Sequence, residues 1–162
     1  MGGARCTGEL KKIPRLEFQS RNDLQVFGFD RNEKKRADRF VENNPFVDAW
    51  FPLIESNITK KQCIDIVSKA GIDTPAMYKM GYRNNNCIGC VKGQAGYWNK
   101  IRKDFPDVFD RMAKMERKIN AAICKSYAGD GKRKRIFLDE LPEDMGRYSD
   151  LDISCGLFCG EY

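Results

Sequence analysis

The sequence predicts an α/β fold rich in helix, with helices packed around a short parallel sheet of two or three strands. Three observations predict it. One apolar run, LQVFGFD from Leu24 to Asp30, is short and leads into a glycine-containing loop, the pattern of a buried parallel strand. Several longer segments instead repeat their apolar residues every three or four positions, the period of a helix. Pro45, Gly71, Pro75, Gly81 and Pro106 fall between or at the starts of those segments, where chain breakers belong.

After the strand, RNEKKRADRFVENN places Ala37, Phe40 and Val41 on one helical face and stops at Asn43-Asn44-Pro45, completing a strand, loop, helix unit. ITKKQCIDIVSKAGI carries Ile58, Cys63, Ile66, Val67 and Ala70 at helical spacing. Thr59 and Gln62 fit a capping box at its start, and Gly71 fits a left-handed stop. GIDTPAMYKMGYRNNN reads as an irregular connection. Two helices follow, the second opening at Asp104-Phe105-Pro106 and burying Phe109, Met112, Met115, Ile119, Ala122 and Ile123 along one stripe. Cys124, at its end, reads as a packing residue. KRKRIFLDELPED reads as a basic loop, a short apolar stretch and a turn, and the last ten residues read as loop. No internal repeat is present.

A chain of 162 residues is the size of one domain, spanning 1–162, and buries roughly 70 % of its unfolded surface. Its hydrophobic fraction of 41 % and charged fraction of 32 % exclude a disordered polymer. No apolar run approaches the roughly 20 residues that span a bilayer, and MGGARCTGELKK lacks the apolar centre of a signal peptide. The expected compartment is the cytoplasm, with no membrane partner. In that reducing setting the seven cysteines read as metal ligands, redox groups or small hydrophobes before structural disulfides. The net charge of +6 gathers at Lys11, Lys12 and Arg15, at Lys34 to Arg36, and in GKRKR from Gly131 to Arg135. Such clusters suit an anionic partner, nucleic acid included, and equally a solvated surface.

The strongest chemical signal lies in two cysteine pairs, NNNCIGC and SCGLFCGEY. Cys87 and Cys90 are two residues apart with Gly89 between them, and Cys155 and Cys159 are three apart with glycines following each. Together they supply four sulfurs, the number taken by tetrahedral zinc or a cubane iron–sulfur cluster. The chain has no histidine, so the site would be built from cysteine, with a carboxylate as the other candidate ligand. A redox dithiol is the other reading of Cys87 and Cys90. It calls for a helix starting within the motif to lower a thiol pKa, and the glycine-rich VKGQAG does not guarantee one, so metal ranks first.

Several segments also resemble a known family: RCTGELKKIP from Arg5, VFGFDRNEKKR from Val26, PLIESNITKKQC from Pro52, GIDTPAMYKMGYRNNNCIGC from Gly71, and the terminal CGLFC. In order and spacing they are similar to the phosphoadenosine phosphosulfate (PAPS) reductase family, most of all to its phage and bacterial reductase-like members, within the adenine nucleotide alpha hydrolase-like group. The resemblance implies a partial Rossmann-like parallel sheet in residues 1–50, a remnant of the family's nucleotide-binding layer, followed by a cysteine-ligated helical region in 51–162. It implies an adenine sulfonucleotide or other anionic ligand, sulfonucleotide reduction or sulfur transfer as chemistry, and an iron–sulfur (4Fe-4S) cluster, with zinc the alternative. Arg5, Lys11, Lys12, Gly28, Glu33 and Arg36 would stand on the nucleotide side, where cations suit sulfate or phosphate oxygens. Cys87, Cys90, Cys155 and Cys159 would hold the metal, Cys6 being an alternative ligand.

Cys155 also matches the position of the family's nucleophilic cysteine. Ser154 replaces the neighbouring glutamate, however, and Phe158 and Cys159 replace the histidine region, which favours a ligand role for it. The family's SGGxDS-type PP-loop, a phosphate cradle at a helix N-terminus, has no counterpart in MGGAR. The expectation is therefore the C-terminal, metal-bearing part of a reductase-like protein that needs a PP-loop partner. The alternative is a non-catalytic binding module, such as a phage-encoded inhibitor, that contacts protein or nucleic acid through its basic surface.

Overall fold

A computed structural model of the chain describes residues 5–127 and 133–153. They form two compact units that divide between Thr74 and Pro75. Both are dominated by helix, and the parallel sheet has two strands among the described residues.

The first unit opens with α1 (Arg5–Thr7), a π-helical turn over Gly8–Lys12, and α2 (Ile13–Phe18), one continuous helical run in which Pro14 follows just after the π-helical turn. Arg15 ties this run to the sheet, its Nη1 donating to Gln25 Oε1 at 2.5 Å. Strand β1 (Gln25–Val26) pairs in parallel with β2 (Ala49–Trp50), in the register Gln25 to Ala49 and Val26 to Trp50. Between them runs α3 (Lys34–Asn43), so the three make a β–α–β unit. The strand is shorter than the apolar run that encodes it. Phe27 N–H still donates to Trp50 O, but beyond it the chain turns so that Asp30 can cap the helix that follows.

Phe27, Phe29, Ala37 and Phe40 form the buried centre of this unit, with Phe51 packed against them. The Phe27 ring lies 4.6 Å from Phe40 and 5.5 Å from Phe51, centroid to centroid. Val41, expected on the same face, is exposed. After α4 (Pro52–Glu55) comes α5 (Lys60–Lys69), where Thr59 and Gln62 make the expected capping box and Gly71 takes φ +72°. Apolar Ile66 nevertheless stays exposed on it.

The second unit contains α6 (Ala76–Lys79), α7 (Ala95–Asp104), α8 (Pro106–Ile119) and an antiparallel hairpin of β3 (Cys124–Tyr127) and β4 (Arg133–Ile136). Pro106 starts α8 as expected. Its buried face is Phe109, Ala113 and Glu116, while Met115 and Ile119 face solvent, so the stripe is rotated from the one the apolar residues suggested. Asn120 adopts φ +50° and ends the helix, leaving Ala122 and Ile123 beyond it. Cys124 is fully buried, a packing residue as expected, but on a strand. The hairpin was hidden because KRKR offers no apolar alternation.

Glu116 is 2 % exposed, and its carboxylate accepts the N–H groups of Ile123 and Leu138, the latter at 2.7 Å. It thereby stitches both ends of the hairpin to α8. A second polar device runs along α7. Arg102 donates to Leu141 O at 2.7 Å, Asn99 to Pro142 O at 2.7 Å and Met145 O at 2.8 Å, and Gly96 N–H to Asp150 Oδ2 at 3.0 Å. These positions recur every three residues, one helical face. The segment from Leu138 to Asp150 is thus held antiparallel along the helix. Above this face lies a core of Trp98, Tyr97, Ile101, Phe109, Leu138, Leu141, Leu151 and Ile153. No helix among the described residues is long and apolar enough to cross a membrane.

Candidate functional site

The carboxyl end of β1 gathers Gly28, Glu33 and Arg36, three of the residues expected on the nucleotide side. Asp30, which the sequence reading did not single out, organises them. Its Oδ1 accepts Asn32 N–H at 2.7 Å and its Oδ2 accepts Lys60 N–H at 3.0 Å, so one carboxylate caps both the 3-10 turn Arg31–Glu33 that leads into α3 and the start of α5. Glu33 returns the bond by accepting Asp30 N–H through Oε2, closing a capping box. The D-x-x-E spacing was the available signal. Arg36 donates from Nη1 to Glu33 Oε1 at 2.6 Å, and its guanidinium lies 4.5 Å from the centre of the Phe29 ring. It is thus held over an aromatic wall at the mouth of the loop. The space over Gly28 is open. Because Asp30 occupies the helix N-termini, an incoming oxyanion at this loop meets cationic side chains before it meets helix amides.

Arg5, Lys11 and Lys12 lie on the first helical run. Arg5 is exposed and pairs with Glu9 at 2.7 Å.

The turn at Cys87 and Cys90 is built around a tyrosine. Ile88 and Gly89 form its corners, and Gly89 takes φ +76°, which suits glycine. A Cβ on Gly89 would stand 2.8 Å from Val108 Cγ1, so the corner is pressed on α8 as well. The Tyr97 hydroxyl accepts Cys90 N–H at 3.0 Å and donates to Cys87 O at 2.9 Å, relaying the bond that closes the turn. Burial pushes the Tyr97 phenol pKa up, which keeps it a neutral donor. Cys87 is exposed and Cys90 is half-buried against the core. Asn86 donates to Ile153 O at 3.0 Å and Asn84 to Asp152 Oδ1 at 2.8 Å, so the end of the described chain lies beside this turn.

Tyr97→Phe removes both relay bonds and leaves two half-buried backbone groups to find partners. The expected cost is about 1 kcal/mol, read by denaturant unfolding, with faster hydrogen exchange at Cys90 N–H. Unchanged exchange there would mean that the hydroxyl does not hold the turn.

The metal expectation is corrected by these positions. Among the described residues, no group of three or more histidine, cysteine, aspartate or glutamate side chains stands where it could hold a metal ion. Cys87 and Cys90 alone give half of a tetrahedral site, and Cys6 is an exposed residue of the other unit. Cys155 and Cys159 lie outside the described residues. No protein-family model, curated protein or solved structure matches the chain. The metal-binding, iron–sulfur and phage attributes carried by the resemblance are accordingly set aside.

Proposed function

We propose that the chain handles an adenine sulfonucleotide, as the substrate-side part of a protein for sulfonucleotide reduction or sulfur transfer whose phosphate loop lies outside these 162 residues, for example in a partner chain. The observation that carries this reading is the β1–α3–β2 unit. Two parallel strands joined through a helix leave a loop, Gly28 to Arg36, at their carboxyl end, where open α/β sheets bind ligands. Arg36, oriented by Glu33 and Phe29, is the cation placed to meet a sulfate or phosphate oxygen. Val26 and Trp50, paired in register, are exposed on one face of the strand pair, the kind of face that helices cover in parallel sheets.

Calorimetric titration of adenosine 5′-phosphosulfate into the chain tests this reading. Binding in the micromolar range is expected, weakened about tenfold or more by Arg36→Gln, the worth of one charge-assisted hydrogen bond. Inorganic sulfate alone should bind far more weakly. No heat up to millimolar nucleotide would overturn the reading.

One observation favours a second reading. Asp30 and Glu33 already occupy the donors of the loop, as suits a settled scaffold that binds protein or nucleic acid through its basic surface without turnover. Nucleic-acid binding of that kind would fall steeply with added salt, whereas sulfonucleotide binding would discriminate adenosine phosphosulfate from an equally charged RNA oligomer.

A further inference from the structure

The five cysteines among the described residues occupy very different places, and among them the pair Cys87 and Cys90 is left unused by the reading above. Cys124 is sealed in the core, Cys63 sits half-buried on α5, and Cys6 is exposed on α1. Cys87 and Cys90 differ from all of these in being the first and fourth residues of one turn. In such turns the two outer Cα atoms lie within about 7 Å. A disulfide spans Cα separations of roughly 4.4–6.8 Å. The turn therefore brings its two sulfur-bearing residues to the separation that a disulfide needs.

Three further features act together on the same pair. Gly89 at φ +76° sets the direction of the turn. The Tyr97 hydroxyl holds the two cysteines' backbones through Cys87 O and Cys90 N–H, so the chain entropy of closing the ring is already spent by the fold. The two thiols also differ in access, Cys87 being exposed and Cys90 half-buried against the core. That asymmetry separates a thiol that meets an outside reagent from one that resolves the product.

We propose that Cys87 and Cys90 form a reversible thiol–disulfide exchange site for low-molecular-weight disulfides of the glutathione class. Cys87, as thiolate, attacks one sulfur of the oxidised reagent. The reagent's S–S bond breaks, one glutathione thiolate leaves, and a mixed disulfide remains on Cys87. Cys90, having lost its proton to solvent, then attacks Cys87 Sγ and expels the second glutathione thiolate, which takes up a proton. The balance is one protein dithiol and one glutathione disulfide giving one protein disulfide and two glutathione thiols, a two-electron exchange. The site does not depend on nucleotide binding. Because Asn84 and Asn86, just before Cys87, hold Asp152 and Ile153, the exchanging turn also abuts the segment that leads to Cys155.

The test equilibrates the full chain in glutathione buffers of graded ratio, quenches by acid and alkylation, and maps the peptides by mass spectrometry. A Cys87–Cys90 bridge that grows with the oxidised fraction and is fully reversed by dithiothreitol is expected. Cys90→Ser should instead accumulate glutathione on Cys87, and Cys87→Ser should show neither product in this peptide. The proposal is overturned if no such bridge forms at any ratio in the folded wild-type chain. It is equally overturned if Cys87 or Cys90 pairs with Cys155 or Cys159 in its place, or if wild-type Cys87 retains glutathione while Cys90 stays reduced.

Discussion

Replacing Glu116 with alanine is expected to cost the second unit about 3 kcal/mol, from one buried and one half-buried backbone donor left without their acceptor. The carboxylate is 2 % exposed and accepts the N–H groups of Ile123 and Leu138, which enter and leave the β3–β4 hairpin. Glu116→Gln separates charge from acceptor number: its amide oxygen can take one N–H, but its NH2 group faces the other donor, so about half the loss is expected. Denaturant unfolding followed by tryptophan fluorescence reads the effect, since fully buried Trp98 reports this unit and exposed Trp50 the first. A cost below about 0.5 kcal/mol for the alanine variant would show that the hairpin does not depend on this carboxylate.

Gly146→Ala is the second large effect. Gly146 takes φ +115°, and a Cβ there would stand 2.1 Å from Gly96 N and 2.4 Å from Gly96 Cα. The approach is backbone against backbone, so no side chain can move aside. Strain and clash together are expected to cost about 3 kcal/mol. The immediate casualty is the clamp of Asp150, whose Oδ2 accepts both Gly96 N–H and Arg147 N–H at 3.0 Å. Gly96→Ala meets the same contact from the other side, its Cβ 2.4 Å from Arg147 O. The double variant should therefore cost less than the two singles added, because one displacement relieves both. A fall in Tm of more than about 10 °C is expected for Gly146→Ala, and an unchanged Tm would show the segment beyond Pro142 to be loosely held.

What could be read from the sequence was what neighbouring residues decide. The capping box at Thr59 and Gln62, the stop at Gly71 and the start of α8 at Pro106 each depend on residues within one turn of each other. The strand, loop and helix of β1 and α3 were legible because Phe27, Ala37 and Phe40 carry the change of period themselves, whereas the two-residue β2 left no pattern to read. The hairpin was not, since β4 is mostly cationic and is fixed by Glu116, which lies on another element. Asn99 and Arg102 carry no signal of their own in the sequence, and only their carbonyl partners some forty positions later make them the seam of the unit. The turn at Cys87 could be recognised from its glycine, but Tyr97, which closes it, could not be told from the core aromatics around it. The metal expectation finds no third ligand beside Cys87 and Cys90 among the described residues, and Cys155 and Cys159 lie outside them. Spacing along the chain counts sulfurs without saying which of them share a centre.

The most direct measurement for the proposed function is a titration of the isotopically labelled chain with adenosine 5′-phosphosulfate, followed by amide chemical shifts. The account predicts shifts centred on Gly28 to Arg36, reduced in Arg36→Gln. Saturating nucleotide that leaves those amides unmoved, or moves only residues of the second unit, would contradict it.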